Sequence, residues 1–154
     1  MWRWLILVVF LLSGCEKVEV LKRSDKMQPV EFEKGKVQCV VCTMRLKSKL
    51  FSAQAIMPDG KVYFFDDPGC MAMWYIKHKD TNATLWVFTE DTRRYVNAKE
   101  AWYRLGETTP MRYGFGVYEK RVEGSVDFEE FIEKMKRGEN LRDPAIRAKL
   151  KEQK

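Results

Sequence analysis

The sequence predicts an α+β fold made of two small halves. Phe51–Met57 and Lys61–Phe65 are β-rich runs flanking Pro58-Asp59-Gly60, and a glycine after an aspartate supplies the positive φ that a tight hairpin turn needs. Asp67 and Pro68 follow at once as N-cap and first helical residue, which predicts a helix running to about Lys79. Asp127 and Gly138 bracket a second helix, from about Phe128 to Lys136. Between the helices, Leu85–Thr89, Arg94–Val96 and Gly114–Glu119 read as extended and Ala98–Leu105 as helical. The two halves meet near Glu90–Arg94, giving bounds of 37–91 and 92–138.

The chain has 154 residues, 45% apolar and 32% charged. That balance excludes wholesale disorder and allows a packed core. The first 14 residues form the one coherent apolar block, which excludes a polytopic membrane protein. With a single histidine, poly-histidine zinc sites and histidine-dependent catalytic triads lose their raw material. Four cysteines and eight methionines place sulfur at the centre of any site chemistry. The net charge of +6 is too diffuse to point to nucleic acid and suits an anionic membrane surface.

Residues 1–14, MWRWLILVVFLLSG, have a secretory layout: Arg3, an apolar run from Trp4 to Leu12, then small residues. The run is too short to span a bilayer, which takes about 20 helical residues. Leu12-Ser13-Gly14-Cys15 resembles the bacterial lipoprotein cleavage motif, which makes Cys15 the lipidated N-terminus of the mature chain. Residues 15–36 are charged, carry Pro29 and Gly35, and show no sustained period. They read as a flexible tether, ending in a short strand at Val30–Phe32. Residues 139–154 read as a polar basic tail, helical after Pro144.

Cys39-Val40-Val41-Cys42-Thr43-Met44 is the most informative stretch. The C-x-x-C spacing serves either a metal or a disulfide. In an extended segment Cys42 and Met44 point to the same side, presenting a thiolate and a thioether together. That soft pair selects Cu(I). No second C-x-x-C or histidine pair follows to complete a tetrahedral site, which disfavours structural zinc. Met44 could equally be a core filler. Once Cys15 carries lipid, Cys39, Cys42 and Cys70 remain, an odd number for an oxidising compartment. Cys70 falls in the first turn of the predicted helix, where the helix dipole lowers a thiol pKa, or else it packs that helix onto the hairpin. Met71, Met73, Trp74 and Tyr75 fall on helical spacing as core, and His78 is expected on the surface.

In order along the chain stand the lipobox at Cys15, C-x-x-C-x-M at Cys39–Met44, Phe51-Ser52-Ala53-Gln54, Gly60…Phe64-Phe65-Asp66-Asp67-Pro68-Gly69-Cys70-Met71…Trp74, Trp86-Val87, Val96-Asn97-Ala98 and Thr109-Pro110-Met111. This ordered set resembles the nitrous oxide reductase accessory lipoproteins, the NosL family of periplasmic copper(I)-binding proteins, over roughly Val37 to Tyr118. The resemblance implies two related ββαβ halves and no enzymatic activity. It also implies delivery of Cu(I) toward nitrous oxide reductase or another cuproenzyme, alongside a membrane ABC-type transporter. Carried over residue by residue, it makes Cys42, Met44 and Met111 the Cu(I) ligands, with Cys39 and Cys70 auxiliary. Arg112 stands where the family commonly has glycine. Two other readings remain open on the residues alone: a thiol–disulfide oxidoreductase using Cys39 and Cys42, and a membrane-tethered scaffold whose sulfur residues are core.

Overall fold

A computed structural model describes residues 22–153. The proposed signal peptide and Cys15 lie outside the described residues. The hairpin forms as the sequence predicts: β1 (Ala53–Ile56) pairs antiparallel with β2 (Val62–Phe65) across the Pro58-Asp59-Gly60 turn. Gly60 has φ +87°, and a Cβ there would stand 2.8 Å from the Ser24 carbonyl oxygen, so both the turn and its neighbour require glycine. Helix α1 (Pro68–His78) follows, capped by the Asp67 carboxylate, which accepts from the Gly69 N–H at 2.8 Å. Strand β3 (Thr84–Phe88) then returns to pair with the other side of β1. This gives the first half its ββαβ order.

The next strand, β4 (Tyr95–Asn97), pairs with β3 and completes a four-stranded sheet of order β2-β1-β3-β4. The first sheet therefore extends to Asn97, past the expected boundary at 91. Ala98–Leu105 does not form a helix. The chain makes one 3-10 turn at Ala98–Glu100, capped by the Asn97 side chain, and then enters β5 (Trp102–Leu105). Trp102 and Tyr103 belong to the aromatic class that packs well on a pleated surface, and β5 pairs antiparallel with β6 (Phe115–Tyr118) as a second sheet. Helix α2 (Phe128–Arg137) has Asp127 as N-cap and Gly138 in the left-handed conformation at its end. It covers this sheet, and no strand follows it among the described residues. The α+β class and the two-sheet division match the expectation.

Residues 22–36 were expected as a free tether and instead lie against the first sheet. The Ser24 N–H donates to the Gly60 carbonyl at 2.8 Å, and the Trp86 indole donates to the Met27 carbonyl at 3.0 Å. The fully buried Gln54 side chain bonds both the N–H and the carbonyl of Val30 at 2.9 Å. Phe32 packs edge-on against Phe64 with ring centroids 5.6 Å apart. The physical reason is that a buried amide needs partners. The 22–36 segment supplies them through its backbone, so Val30–Phe32 does not form a strand. In the tail, Leu141 and Arg142 pack on Tyr113 before helix α3 (Pro144–Glu152), whose residues are all outside the core. No described helix is long and apolar enough to cross a membrane.

Candidate metal centre

The Cys39–Met44 segment is a tight loop. The Cys39 N–H donates to the Met44 carbonyl at 2.8 Å and the Thr43 N–H to the Cys39 carbonyl at 3.0 Å, with Thr43 at φ +64°. The expectation that Cys42 and Met44 share one side of an extended segment therefore fails, because the intervening residue is left-handed. Gln38 and Arg45 bridge at the base of the loop, and Cys39 bridges in parallel to Phe64. The second bridge sets Cys39 beside the last residues of β2. Two residues further on, Asp66 emerges from that strand, and α1 begins directly after it.

Three separate pieces of chain thus converge. The sulfurs of Cys39, Cys42 and Cys70 and a carboxylate oxygen of Asp66 all lie within 4.8 Å of one another. Cys39 and Cys70 are buried, Cys42 is half-buried, and all three are free thiols. The Cys42 thiol donates to Asp66 Oδ1 at 3.1 Å. Asp66 itself is buried, and its Oδ2 has no hydrogen-bond partner.

The thiols differ in acidity according to their hydrogen bonds and their burial. A hydrogen bond from Cys70 is the largest influence bringing the Cys39 pKa down to about 7; burial opposes it, and the backbone N–H groups of Cys42, Asp66 and Val41 assist. Burial, the neighbouring carboxylate and Cys39 push Cys42 up to about 12. Cys70 is raised further, first by its hydrogen bond to Cys39 and then by burial. The helix-dipole expectation for Cys70 is overturned, because a thiol that donates to a neighbouring thiolate holds its own proton.

Of the residues the sequence selected, Cys39 and Cys70, ranked auxiliary, form the floor of the cluster, and Cys42 forms its rim. Met44 stands 44% exposed on the same loop, beside the exposed Val40 and Val41. These two valines, with Tyr63, Trp74 and Tyr113, wall a hollow of about 470 Å³. Met111 is tied to α1 through its backbone: its N–H donates at 2.8 Å to Asp67 Oδ2, the oxygen that the N-cap bond leaves free. Burial raises the pKa of Asp67, and hydrogen bonds from Thr109, Gly69 and Met111 oppose that rise. The Met111 side chain lines a separate hollow with Pro110, Arg112, Arg142 and Arg147. Arg112 has φ +61°, a left-handed conformation that favours glycine. His78 is exposed, as expected, and stacks on Trp74 with ring centroids 4.5 Å apart.

Asp66 is the residue that sequence reasoning missed. Its signal was an acidic doublet between a strand and a helix whose first turn holds a cysteine. Asp67 accounted for the helix cap, leaving Asp66 without a local task. Cys70 and Asp66 stand close enough to Cys39 and Cys42 to be two further candidate donors, which no second C-x-x-C in the sequence provides.

No family model and no curated protein matches the sequence. Among solved structures, the copper chaperone NosL from Shewanella denitrificans matches with a TM-score of 0.53 at 16% identity, over 69% of this chain and 87% of that one. The chain has the NosL fold. In it, the loop carrying Cys39 and Cys42 packs at the junction of β2 and α1, so both the loop and the helix present sulfur to one point. The NosL fold and the donor cluster together make this junction the candidate metal centre.

Proposed function

We propose that this protein is a copper(I) carrier, lipid-anchored at Cys15 on the periplasmic side of a bacterial membrane, that passes its ion to nitrous oxide reductase or another cuproenzyme beside a membrane ABC-type transporter. The observation that carries this reading is the gathering of three free thiols within 4.8 Å, two buried and one at the rim. Thiolates and thioethers are the donors that select Cu(I) over harder ions. Cys42, with Met44 exposed on the same loop, gives an incoming acceptor sulfur a ligand to displace, as transfer by ligand exchange requires. The family resemblance adds Met111 as a further thioether, which in this fold lines a separate hollow. The likeness to a copper chaperone supports the same reading at the level of the fold.

The cluster is a poor thiol–disulfide oxidoreductase. Such an enzyme needs a thiolate that is both acidic and accessible. Here acidity belongs to Cys39, which is 1% exposed, whereas the more accessible Cys42 is pushed up to about 12. A carrier without catalysis fits this division.

The test is an anaerobic titration of the reduced protein with Cu(I) against a chromophoric competitor. Tight binding that collapses in Cys42→Ser and weakens in Met44→Ala and Met111→Ala is expected. Binding that survives Cys42→Ser would overturn the reading, as would turnover in an insulin-reduction assay.

A further inference from the structure

We infer that the hollow between the Thr109–Arg112 turn and the start of α3 binds a phosphate-type oxyanion, either free phosphate or the headgroup of an anionic lipid. The site uses none of the cysteines and is independent of the copper reading.

Arg112, Arg142 and Arg147 line one hollow of about 300 Å³, with Pro110 and Met111 as its apolar wall and no carboxylate among the lining residues. The three arginines come from two pieces of chain about thirty residues apart, so the tertiary fold gathers them. Like charges in one place repel one another unless an anion lies among them. Elsewhere Arg94, Arg104 and Arg137 each pair with a glutamate. Among the described residues no carboxylate pairs with Arg112, Arg142 or Arg147.

Neutral groups hold two of the three in place. Arg142 Nη1 donates to the Tyr113 hydroxyl at 3.0 Å, and its guanidinium lies 5.1 Å over the Tyr113 ring. Arg147 Nη1 donates to the Leu141 and Arg142 carbonyls at 2.7 and 3.1 Å. These bonds fix position without neutralising charge, and each leaves most of the guanidinium donors free. Arg112 sits in a turn closed by its N–H on the Thr109 carbonyl at 3.0 Å, with its backbone held left-handed. Helix α3 carries Arg147 to this place without burying a residue of its own. Donors fixed in advance lose little freedom on binding. Three forks around one hollow match a tetrahedral oxyanion better than a carboxylate, whose two oxygens lie in one plane.

The test titrates the full chain, in neutral detergent, with inorganic phosphate and with glycerophosphoglycerol, the soluble headgroup of an anionic lipid. Broadening of the ³¹P resonance and a rise in unfolding temperature are expected with at least one of them. Tighter binding of phosphate assigns the site to the free ion, and tighter binding of the headgroup assigns it to lipid. Arg112→Gly should weaken binding by about tenfold or more. Its unfolding temperature without ligand should not fall, because glycine suits the left-handed backbone. Arg147→Gln should weaken binding comparably. A wild type that leaves both signals unchanged into the millimolar range would overturn the inference, and so would wild-type affinity in Arg112→Gly. Acetate binding as tightly as phosphate at equal ionic strength would overturn it too, leaving only a diffuse basic patch. No copper enters the titration, so failure of the copper reading leaves its result standing.

Discussion

In the second half of the molecule the interior is aromatic. Tyr103 stacks on Phe131 with centroids 4.1 Å apart, and Phe115 and Phe128 meet the same ring at 4.8 and 6.5 Å. One polar atom among these rings, the Tyr103 hydroxyl, is satisfied by the Ala98 carbonyl at 2.7 Å. The first half buries Ser52, Gln54, Asp66 and Asp67 together with Cys39 and Cys70. Apolar burial is non-directional and tolerates small shifts. A cluster of donors is useful only if its geometry is held, and here a strand end, a capped helix and a bridged loop hold it. Both halves have apolar cores, but only the first sets a cluster of candidate donors into its own. Tyr75 packing edge-on against Phe128 at 5.2 Å joins them.

That contrast can be broken or sharpened by substitution. The largest effect is expected from Phe131→Ala, which removes the fully buried centre of the aromatic core and should cost about 3–5 kcal/mol in urea unfolding. Under folding conditions the variant should bind Cu(I) as the wild type does. A parallel loss of metal affinity would show that the halves are not separable. Gly69→Ala should come next. A Cβ at that position would stand 2.2 Å from the Tyr113 ring, and the resulting displacement should cost about 1–3 kcal/mol by the same measurement.

Cys70→Ser retains side-chain size in the first turn of α1 but removes a soft donor. Its Cu(I) affinity should fall by about tenfold or more, equivalent to about 1.4 kcal/mol, in competition titration. Met44→Ala should leave stability within about 0.5 kcal/mol, as expected for an exposed site, while still weakening Cu(I) binding. The smallest effect belongs to the surface. A hydrogen bond from Arg94, assisted by Thr92, holds the Glu119 carboxyl down to about 2, against an ordinary value of 4.5. A lowered folded-state pKa contributes stability that is full above 4.5 and is lost as pH falls toward 2. Arg94→Ala should flatten the acid decline of the unfolding midpoint in that window, and added salt should shrink the difference.

Much of the fold was legible in the residues themselves. The Asp59-Gly60 turn, the Asp67-Pro68 helix start and the Asp127…Gly138 bracket are local devices: each fixes a backbone conformation through its own side chain or the lack of one, so each survives the absence of tertiary information. Ala98–Leu105 was misread because its apolar spacing suits either a helix or a strand, and pairing with β6 decided between them. The 22–36 segment was misread because its order comes from the Gln54 amide, far away in sequence. At the site, the sequence pointed to sulfur chemistry with Cys42 central. The family resemblance ranked Cys39 and Cys70 auxiliary, and nothing local joins residue 39 to residue 70 to raise them.

By itself, then, the sequence determined the α+β class, the hairpin, the helix caps and the candidate sulfur donors, all of which are read from a few neighbouring residues. Only the tertiary structure decided which donors meet. The parallel bridge from Cys39 to Phe64 sets the loop beside the end of β2, and the Asp67 cap fixes where α1 begins. Asp66, with no partner for one of its oxygens, joins the candidate donor cluster because those two placements bring three sulfurs around it.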